Sequence, residues 1–361
     1  MLGLLLVPLA MAMVAHADGY VPPLGFDASD SFFLPGESHS VTEVEEGARK
    51  GWMEHVDSVR FGAYGMTLTQ RLNPETGMPE AEKRRWGDSF VGVVGKKPAA
   101  YMASNWSPWW FLDAEVTLDG GEAVPSPTMV GLLVHAGLRE VTDGRVIADL
   151  IWRDVAGGHL RARCIGWRGL DGFGLQLRYW PPPGRTVEKL TWVLTAQPYD
   201  YSDRDYWERR RWISTPVDDG ALTEEPRTLD LATEWLAVLH NRFAHTESGV
   251  TLALDRGSIA ATTVQTEGNR VPLRLTPASP DGPIAMVLGD WVGEGYDRAR
   301  ARWFGLADRL PERLAQVRGL EQEASRAEVE GFLQATAQSR ERAEAARERA
   351  AAWVTEKQWR E

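Results

Sequence analysis

The sequence predicts a mainly β protein: an antiparallel β-sandwich, either two sandwiches or one large supersandwich, with a C-terminal α-helical tail. Short apolar or alternating runs, bounded by Asp-Gly, Gly-Gly and Pro-Pro-Pro-Gly punctuation, follow one another from about residue 110 to 292, the signature of consecutive antiparallel strands. No helical pattern alternates with them, which argues against a doubly wound parallel sheet. At Tyr296 the composition shifts abruptly to Ala, Arg, Glu and Leu with few β-branched residues, and this marks the change from strands to helices.

Residues 1–17, MLGLLLVPLAMAMVAHA, are apolar and end in Ala15-His16-Ala17. The pattern reads as a signal peptide with a small-residue cleavage site, although no Lys or Arg precedes the run. It places the protein in a secreted or periplasmic setting, with no membrane insertion after signal removal. The segment 18–215 is expected to hold the first β-sandwich region. It opens with turn-rich, polar sequence that includes the connector LNPETGMPEAEKRR. Strands are then expected at DAEVTLDGG, TMVGLLVHAGL, GRVIADLIWRDV, HLRARCIGWRG, DGFGLQLRYW and KLTWVLTAQPY. A second β region, 216–295, continues with TEWLAVLH, GVTLALD, GSIAATTVQ, VPLRLTP and PIAMVLGDW. In the tail, 296–361, Pro311 suits the first turn of a helix, and Leu310, Leu314 and Val317 recur at helical spacing. The tail reads as a coiled-coil arm or as an amphipathic strut on the sandwich, and so as the surface for any protein partner.

Bulk properties narrow the function. A net charge of −11 opposes nucleic acid, which requires clustered Lys and Arg. The single cysteine, Cys164, excludes an intramolecular disulfide and lies in phase with Leu160 and Ala162 as a small core residue. Trp152, Trp192 and Trp291 sit inside apolar runs and are expected in the core. No phosphate loop, nucleophile elbow, zinc-protease motif or cysteine pair is present, and no cofactor is expected. His240 and His245 are five apart and have no carboxylate at ligand spacing, so no metal site is expected.

The candidate binding surface follows from strand alternation. In HLRARCIGW, His159, Arg161 and Arg163 share one face; in GFGLQLRYW, Gln176, Arg178 and Trp180 do. A hairpin between the two strands superimposes these faces, and Asp149 and Arg153 of the preceding strand share their phase. Guanidinium and amide forks beside an indole suit a carbohydrate or another small polar ligand, and the arginines also suit a carboxylated or sulfated sugar. The same pattern fits a solvated outer face with snorkelling arginines. In SNWSPWWF, Trp106 precedes Pro108 on a loop and is a candidate stacking residue, whereas Trp109, Trp110 and Phe111 lead into a core strand. Tyr199 and Tyr201, in the connector PYDYSDRDYW, complete the candidate set.

The strand KLTWVLTAQPYDY, Lys189 to Tyr201, following LDGFGLQLRYW, resembles the end of the N-terminal β-sandwich in secreted bacterial N-acetylgalactosaminidase-like glycoside hydrolases. In that family a similar strand closes the sandwich ahead of a catalytic barrel whose activity looks to depend on an adjacent Asp-Glu pair. No Asp-Glu dipeptide occurs in this chain. The resemblance therefore implies a sandwich fold and a sugar-related context, and supplies no catalytic residue. Noncatalytic carbohydrate recognition is the expected function. A glycoside hydrolase or polysaccharide lyase is the first alternative, and a structural envelope protein acting through its tail is the second.

Overall fold

The apolar runs of the sequence become strands of two facing sheets. The computed structural model describes residues 34–47, 50–62, 64–75, 89–94, 110–121, 132–170, 172–196, 198, 211–240, 248–268, 270–292 and 296–320. The predicted signal peptide, Trp106, Tyr199, Tyr201, His245 and the tail beyond Leu320 lie outside the described residues.

In chain order the strands begin with β1 (Leu34–Glu43), β2 (Met53–Gly62), β3 (Tyr64–Leu72), β4 (Ser89–Val94), β5 (Trp110–Leu118) and β6 (Leu132–Val141). Next come β7 (Arg145–Val155), β8 (Gly158–Trp167), β9 (Phe173–Trp180), β10 (Val187–Ala196), β11 (Arg211–Ser214) and β12 (Asp219–Leu222). The last are β13 (Arg227–Thr228), β14 (Leu236–His240), β15 (Ser248–Leu254), β16 (Ile259–Val264), β17 (Val271–Pro277) and β18 (Ile284–Val292). Two helices follow, α1 (Tyr296–Phe304) and α2 (Leu310–Gly319).

Among the described residues the strands form two nine-stranded antiparallel sheets. The first runs β1-β2-β3-β4-β5-β10-β17-β16-β13, and the second β12-β11-β14-β15-β18-β9-β8-β7-β6. Strands from either side of residue 215 share both sheets: β10 pairs with β17, and β9 with β18. The core between the sheets takes alternate residues of each strand. Leu112, Ala114, Val116, Leu190, Trp192 and Leu194 come from one sheet, and Trp152, Leu160, Ala162, Cys164, Leu175 and Leu177 from the other. Trp152, Trp192 and Cys164 are fully buried there, as the sequence predicts.

The hairpin β7–β8 sets the register on which the candidate site depends. Its two-residue turn holds Ala156 at φ 49° and Gly157 at φ 73°, the doubly left-handed conformation whose twist matches antiparallel strands. Gly157 adopts it freely, while Ala156 carries a steric cost that glycine would not. From this turn the ladder aligns Arg153 with His159, Ile151 with Arg161 and Asp149 with Arg163.

The outer face of the second sheet holds a second apolar layer. Ile147, Ile165, Val238, Ala253, Val287 and Trp291 are covered by Ala299 and Trp303 of α1 and by Leu310, Leu314 and Val317 of α2. Pro311 stands in the first turn of α2, as expected. The close approach of α2 requires Gly174: a Cβ there would lie 2.4 Å from Val317 Cγ2 and 2.5 Å from Ile165 Cγ2. The helices are also fastened by polar contacts. The Trp303 indole N–H donates to the Leu252 carbonyl at 3.1 Å, and Trp167 Nε1 donates to Gln316 Oε1 at 3.1 Å.

Candidate functional site

Strand pairing brings six of the nine sequence-predicted residues together. In the β8–β9 ladder His159 stands opposite Trp180, Arg161 opposite Arg178, and Arg163 opposite Gln176. With β7 they build three cross-strand rows on the outer face: Asp149–Arg163–Gln176, then Ile151–Arg161–Arg178, then Arg153–His159–Trp180. Their side chains share a face because β-residues two apart do, while Leu160, Ala162, Cys164, Leu175, Leu177 and Tyr179 enter the core on the opposite face.

The rows differ in what they do. In the first, Arg163 is fully buried and grips Asp149 with both arms of its fork, Nε to Oδ1 and Nη2 to Oδ2 at 2.6 Å each. Arg163 Nη1 donates to the carbonyl of Leu320 at 3.0 Å. Gln176 Nε2 donates to the carbonyls of Val317 at 2.7 Å and Arg318 at 3.3 Å. The carbonyls of a helix's last turn lie at the negative pole of its dipole; those of Val317 and Arg318 accept from the Leu320 backbone N–H, and Gln176 adds a side-chain donor to both, as Arg163 does to Leu320. Arg163 and Gln176 thus hold α2 on the sheet. Arg318, at the end of the same helix, donates to both carboxylate oxygens of Asp255 at 3.0 and 3.2 Å.

The second and third rows lie past the described end of α2. Arg161 joins them to the first, its Nη2 donating to Gln176 Oε1 at 2.8 Å. The guanidinium carbons of Arg161 and Arg178 lie 5.2 and 5.3 Å from the Trp180 ring centroid, within cation–π range. Trp180 is only 5% exposed and packs with Ile151 and Val134. Its indole supports the arginines and does not offer an open stacking plane. Arg153, His159 and Arg178 are half-buried and form the part of the patch that solvent reaches.

A second polar cluster was not foreseen, because its members lie far apart in sequence and only the fold assembles them. Ser214 Oγ lies 3.2 Å from His240 Nε2 and 2.9 Å from Asp219 Oδ1, and also meets the Tyr296 hydroxyl. The rings of His240 and Tyr296 stack at 4.1 Å. Burial pushes the Tyr296 hydroxyl above its ordinary range, against the opposing pull of its hydrogen bond with Ser214. Ser214 and His240 are fully buried, and the Ser214 hydroxyl sits beside a carboxylate acceptor. The cluster pins the first residue of α1 to the sheet edge β12-β11-β14. Among the described residues no group of three or more His, Cys, Asp or Glu side chains is arranged to hold a metal ion.

No protein-family model matches the sequence, and no curated protein matches it. Among solved structures the chain is similar to an α-N-acetylgalactosaminidase from Bifidobacterium bifidum in complex with GalNAc, at 7% identity and a TM-score of 0.43. That match covers 70% of this chain and 38% of the enzyme, so the chain spans well under half the enzyme's length. It is also similar to a TPR-domain containing protein from Parabacteroides distasonis (8% identity, TM-score 0.37, 74% of this chain and 56% of that one). A third likeness is to galactose 1-epimerase from Lactobacillus acidophilus (8% identity, TM-score 0.36, 72% and 100%). The family resemblance read from the strand at Lys189 is present as a weak structural likeness.

Proposed function

We propose that this chain recognises a carbohydrate without turning it over, through the outer face of β7–β9 beyond α2, and that it acts outside the cytoplasm. One observation carries the reading: the in-register convergence of Arg153, His159, Arg161 and Arg178 around the Trp180 ring. Three strands at the usual spacing and two rows give a patch of about 10 Å by 7 Å, the scale of a sugar ring. Guanidinium forks present paired donors in a fixed plane, which suits vicinal hydroxyls and ring oxygens. The indole beneath Arg161 and Arg178 limits their freedom, so less entropy is lost when they bind.

Absence of turnover is supported by the make-up of these rows. Glycoside hydrolysis uses two carboxylates flanking the scissile bond. The six positions of the two outer rows carry none, and the carboxylate of the adjoining row, Asp149, is held by Arg163. Export is supported by the apolar run of residues 1–17. The test is retention of the full-length protein on immobilised glycans, followed by analysis of the eluted glycan. Retention with the glycan intact is expected, and it is lost in an Arg153→Ala, Arg178→Ala variant. New reducing ends or unsaturated products would establish an enzyme instead. Retention unchanged in the variant would remove this face from the account.

A further inference from the structure

We infer that the seam where β1 and β2 face β6 is an acid-sensitive latch with His135 as its trigger, shut at neutral pH and opening in mild acid to let β1 and β6 part while the rest of the sandwich stays folded. This is independent of the carbohydrate reading. β1 and β6 are the end strands of their sheets and lie against each other across the sandwich. What closes this end is polar. β6 departs from regular register between Leu133 and His135, and again between Leu138 and Glu140. Beside these irregularities the Leu133 N–H donates to Gln70 Oε1 of β3, and the Leu138 N–H to Glu37 Oε2 of β1, each at 3.0 Å. Side chains of the first sheet thus take backbone donors of a bulged edge strand in the second.

His135 stands inside this seam. A Cβ built on Gly137 would lie 3.0 Å from His135 Cε1 and 3.2 Å from Glu37 Oε2, so the imidazole and the carboxylate that holds Leu138 crowd the same glycine. The carboxylates acting on the ring are Glu37 of β1, Asp57 of β2 and Asp149 of β7. Beyond them, His39 Nδ1 meets Asp57 Oδ1 at 2.7 Å, and the rings of His39 and His55 lie 5.9 Å apart. On β6 itself, Arg139 Nη1 lies 3.9 Å from Asp149 Oδ2. Burial outweighs the pull of the three carboxylates and holds His135 below the ordinary histidine range. Opening the seam returns the ring to water and to an ordinary value of about 6.5. The open form therefore takes up a proton more readily than the closed one. The advantage of the closed form is complete above about pH 6.5 and is lost as pH falls towards the depressed value.

A separate observation makes the opening local. From Pro35 to Glu43, β1 is exposed at every position except the half-buried Gly36, and none of these residues belongs to the core. Among the described residues β1 pairs with β2 alone. Segments with few buried apolar contacts open at a lower free energy than the whole protein unfolds. The strands β8, β9 and β14, which send alternate residues into the core, do not share that weakness.

The experiment is amide hydrogen exchange of the full-length protein, read by mass spectrometry with EDTA present, from about pH 7.5 to about pH 5 and corrected for the intrinsic pH dependence of exchange. Protection of peptides spanning 34–43 and 132–141 is expected to fall by between about threefold and about thirtyfold; the upper figure is the limit for one histidine of ordinary affinity that protonates only when the seam is open. Peptides of β8, β9 and β14 are expected to stay protected, and a return to neutral pH to restore the seam. His135→Gln is expected to remove the pH dependence of both peptides. Glu37→Gln keeps an acceptor oxygen for Leu138 and removes one carboxylate that favours the protonated ring, so it is expected to deepen the acid opening; as a change at an exposed residue it also serves if His135→Gln fails to fold. Protection that does not change with pH overturns the inference. So does loss of protection across β8, β9 and β14 together with the seam, which would be ordinary acid unfolding. A pH dependence that persists in His135→Gln, or an acid opening not deepened in Glu37→Gln, removes His135 as the trigger and overturns it as well.

Discussion

Replacing Asp149 by asparagine preserves the shape of the side chain and removes one charge from a pair buried beneath α2. Arg163 then keeps a full guanidinium charge in a fully buried site, facing an amide in place of the carboxylate it held through two 2.6 Å bonds. Breaking a buried ion pair from one side costs about 3–5 kcal/mol, chiefly because the remaining charge is stranded. With a urea slope of about 3 kcal/mol/M, the lower figure moves the unfolding midpoint by about 1 M. Arg163→Met is the milder change: Asp149 then retains Arg139, whose Nη1 lies 3.9 Å from Oδ2, although the Leu320 carbonyl loses its donor. The double variant Asp149→Leu, Arg163→Met strands no charge. Apolar replacement of a buried pair is neutral or stabilising by about 1–4 kcal/mol, and the lost bond to Leu320 costs about 1 kcal/mol. The double is therefore expected within about 2 kcal/mol of the parent, far from the sum of the singles. Urea unfolding of all four proteins, followed by tryptophan fluorescence and far-UV dichroism, reads the cycle. A cost below about 1 kcal/mol for Asp149→Asn, or a double as unstable as the two singles summed, would refute the account of how α2 is held.

Other outcomes follow from the packing. Gly174→Ala places a methyl 2.4 Å from Val317 Cγ2 and 2.7 Å from the Trp167 ring, so α2 must shift; a loss of about 1–3 kcal/mol and faster proteolysis after α2 are expected, and parent-like values for both would mean the helix does not sit there. The Thr262 hydroxyl is buried in the sandwich and makes no hydrogen bond, so Thr262→Val is expected to stabilise by about 1 kcal/mol; a loss of that size in urea titration would reveal a partner for it. Burial, the largest influence, holds His135 below the ordinary histidine range against the opposing pull of Asp149, Glu37 and Asp57. The folded protein then binds fewer protons at this site than the unfolded chain below about pH 6.5. Its stabilising contribution is complete above that pH and is lost as pH falls towards the depressed folded value; His135→Gln is expected to flatten the acid side of the stability profile, and an identical profile would exclude the site.

Much of the fold was legible because period-2 alternation survives wherever one strand face is wholly apolar. The strands β5 to β10 and β14 to β18 each coincide with a run marked in the sequence. Their hydrophobic phase also named the fully buried Cys164. The opening hairpin β1–β2–β3 was read only as turn-rich polar sequence. The reason lies in its inward face, which changes character along its length. In β2, Val59 is buried in the core, but His55 and Asp57, four and two residues earlier on the same face, meet the imidazole of His39. Half a strand of apolar alternation is too short a signal. The helices were placed by Pro311 and by Leu310, Leu314 and Val317, all three apolar residues buried as their spacing implies.

The candidate site was legible in its shared face and only partly in its role. Alternation alone put His159, Arg161 and Arg163 on one face with Gln176, Arg178 and Trp180; the pairing opposite one another came with the structure. It carried no information about depth along the strand, and depth decides function here. Arg163 and Gln176 lie beneath the end of α2, a contact between residues more than 140 positions apart. The carbonyls they satisfy are backbone groups, which leave no mark in a side-chain pattern.

The most direct test of the central claim is the crystal structure of the full-length protein with the oligosaccharide it retains. The account predicts saccharide density against Arg153, His159 and Arg178 on the outer face of β7–β9, with Arg163 still clasping Asp149 and α2 in place. Saccharide seated elsewhere, for example at the Ser214–Tyr296 edge, with the arginine rows untouched, would contradict it.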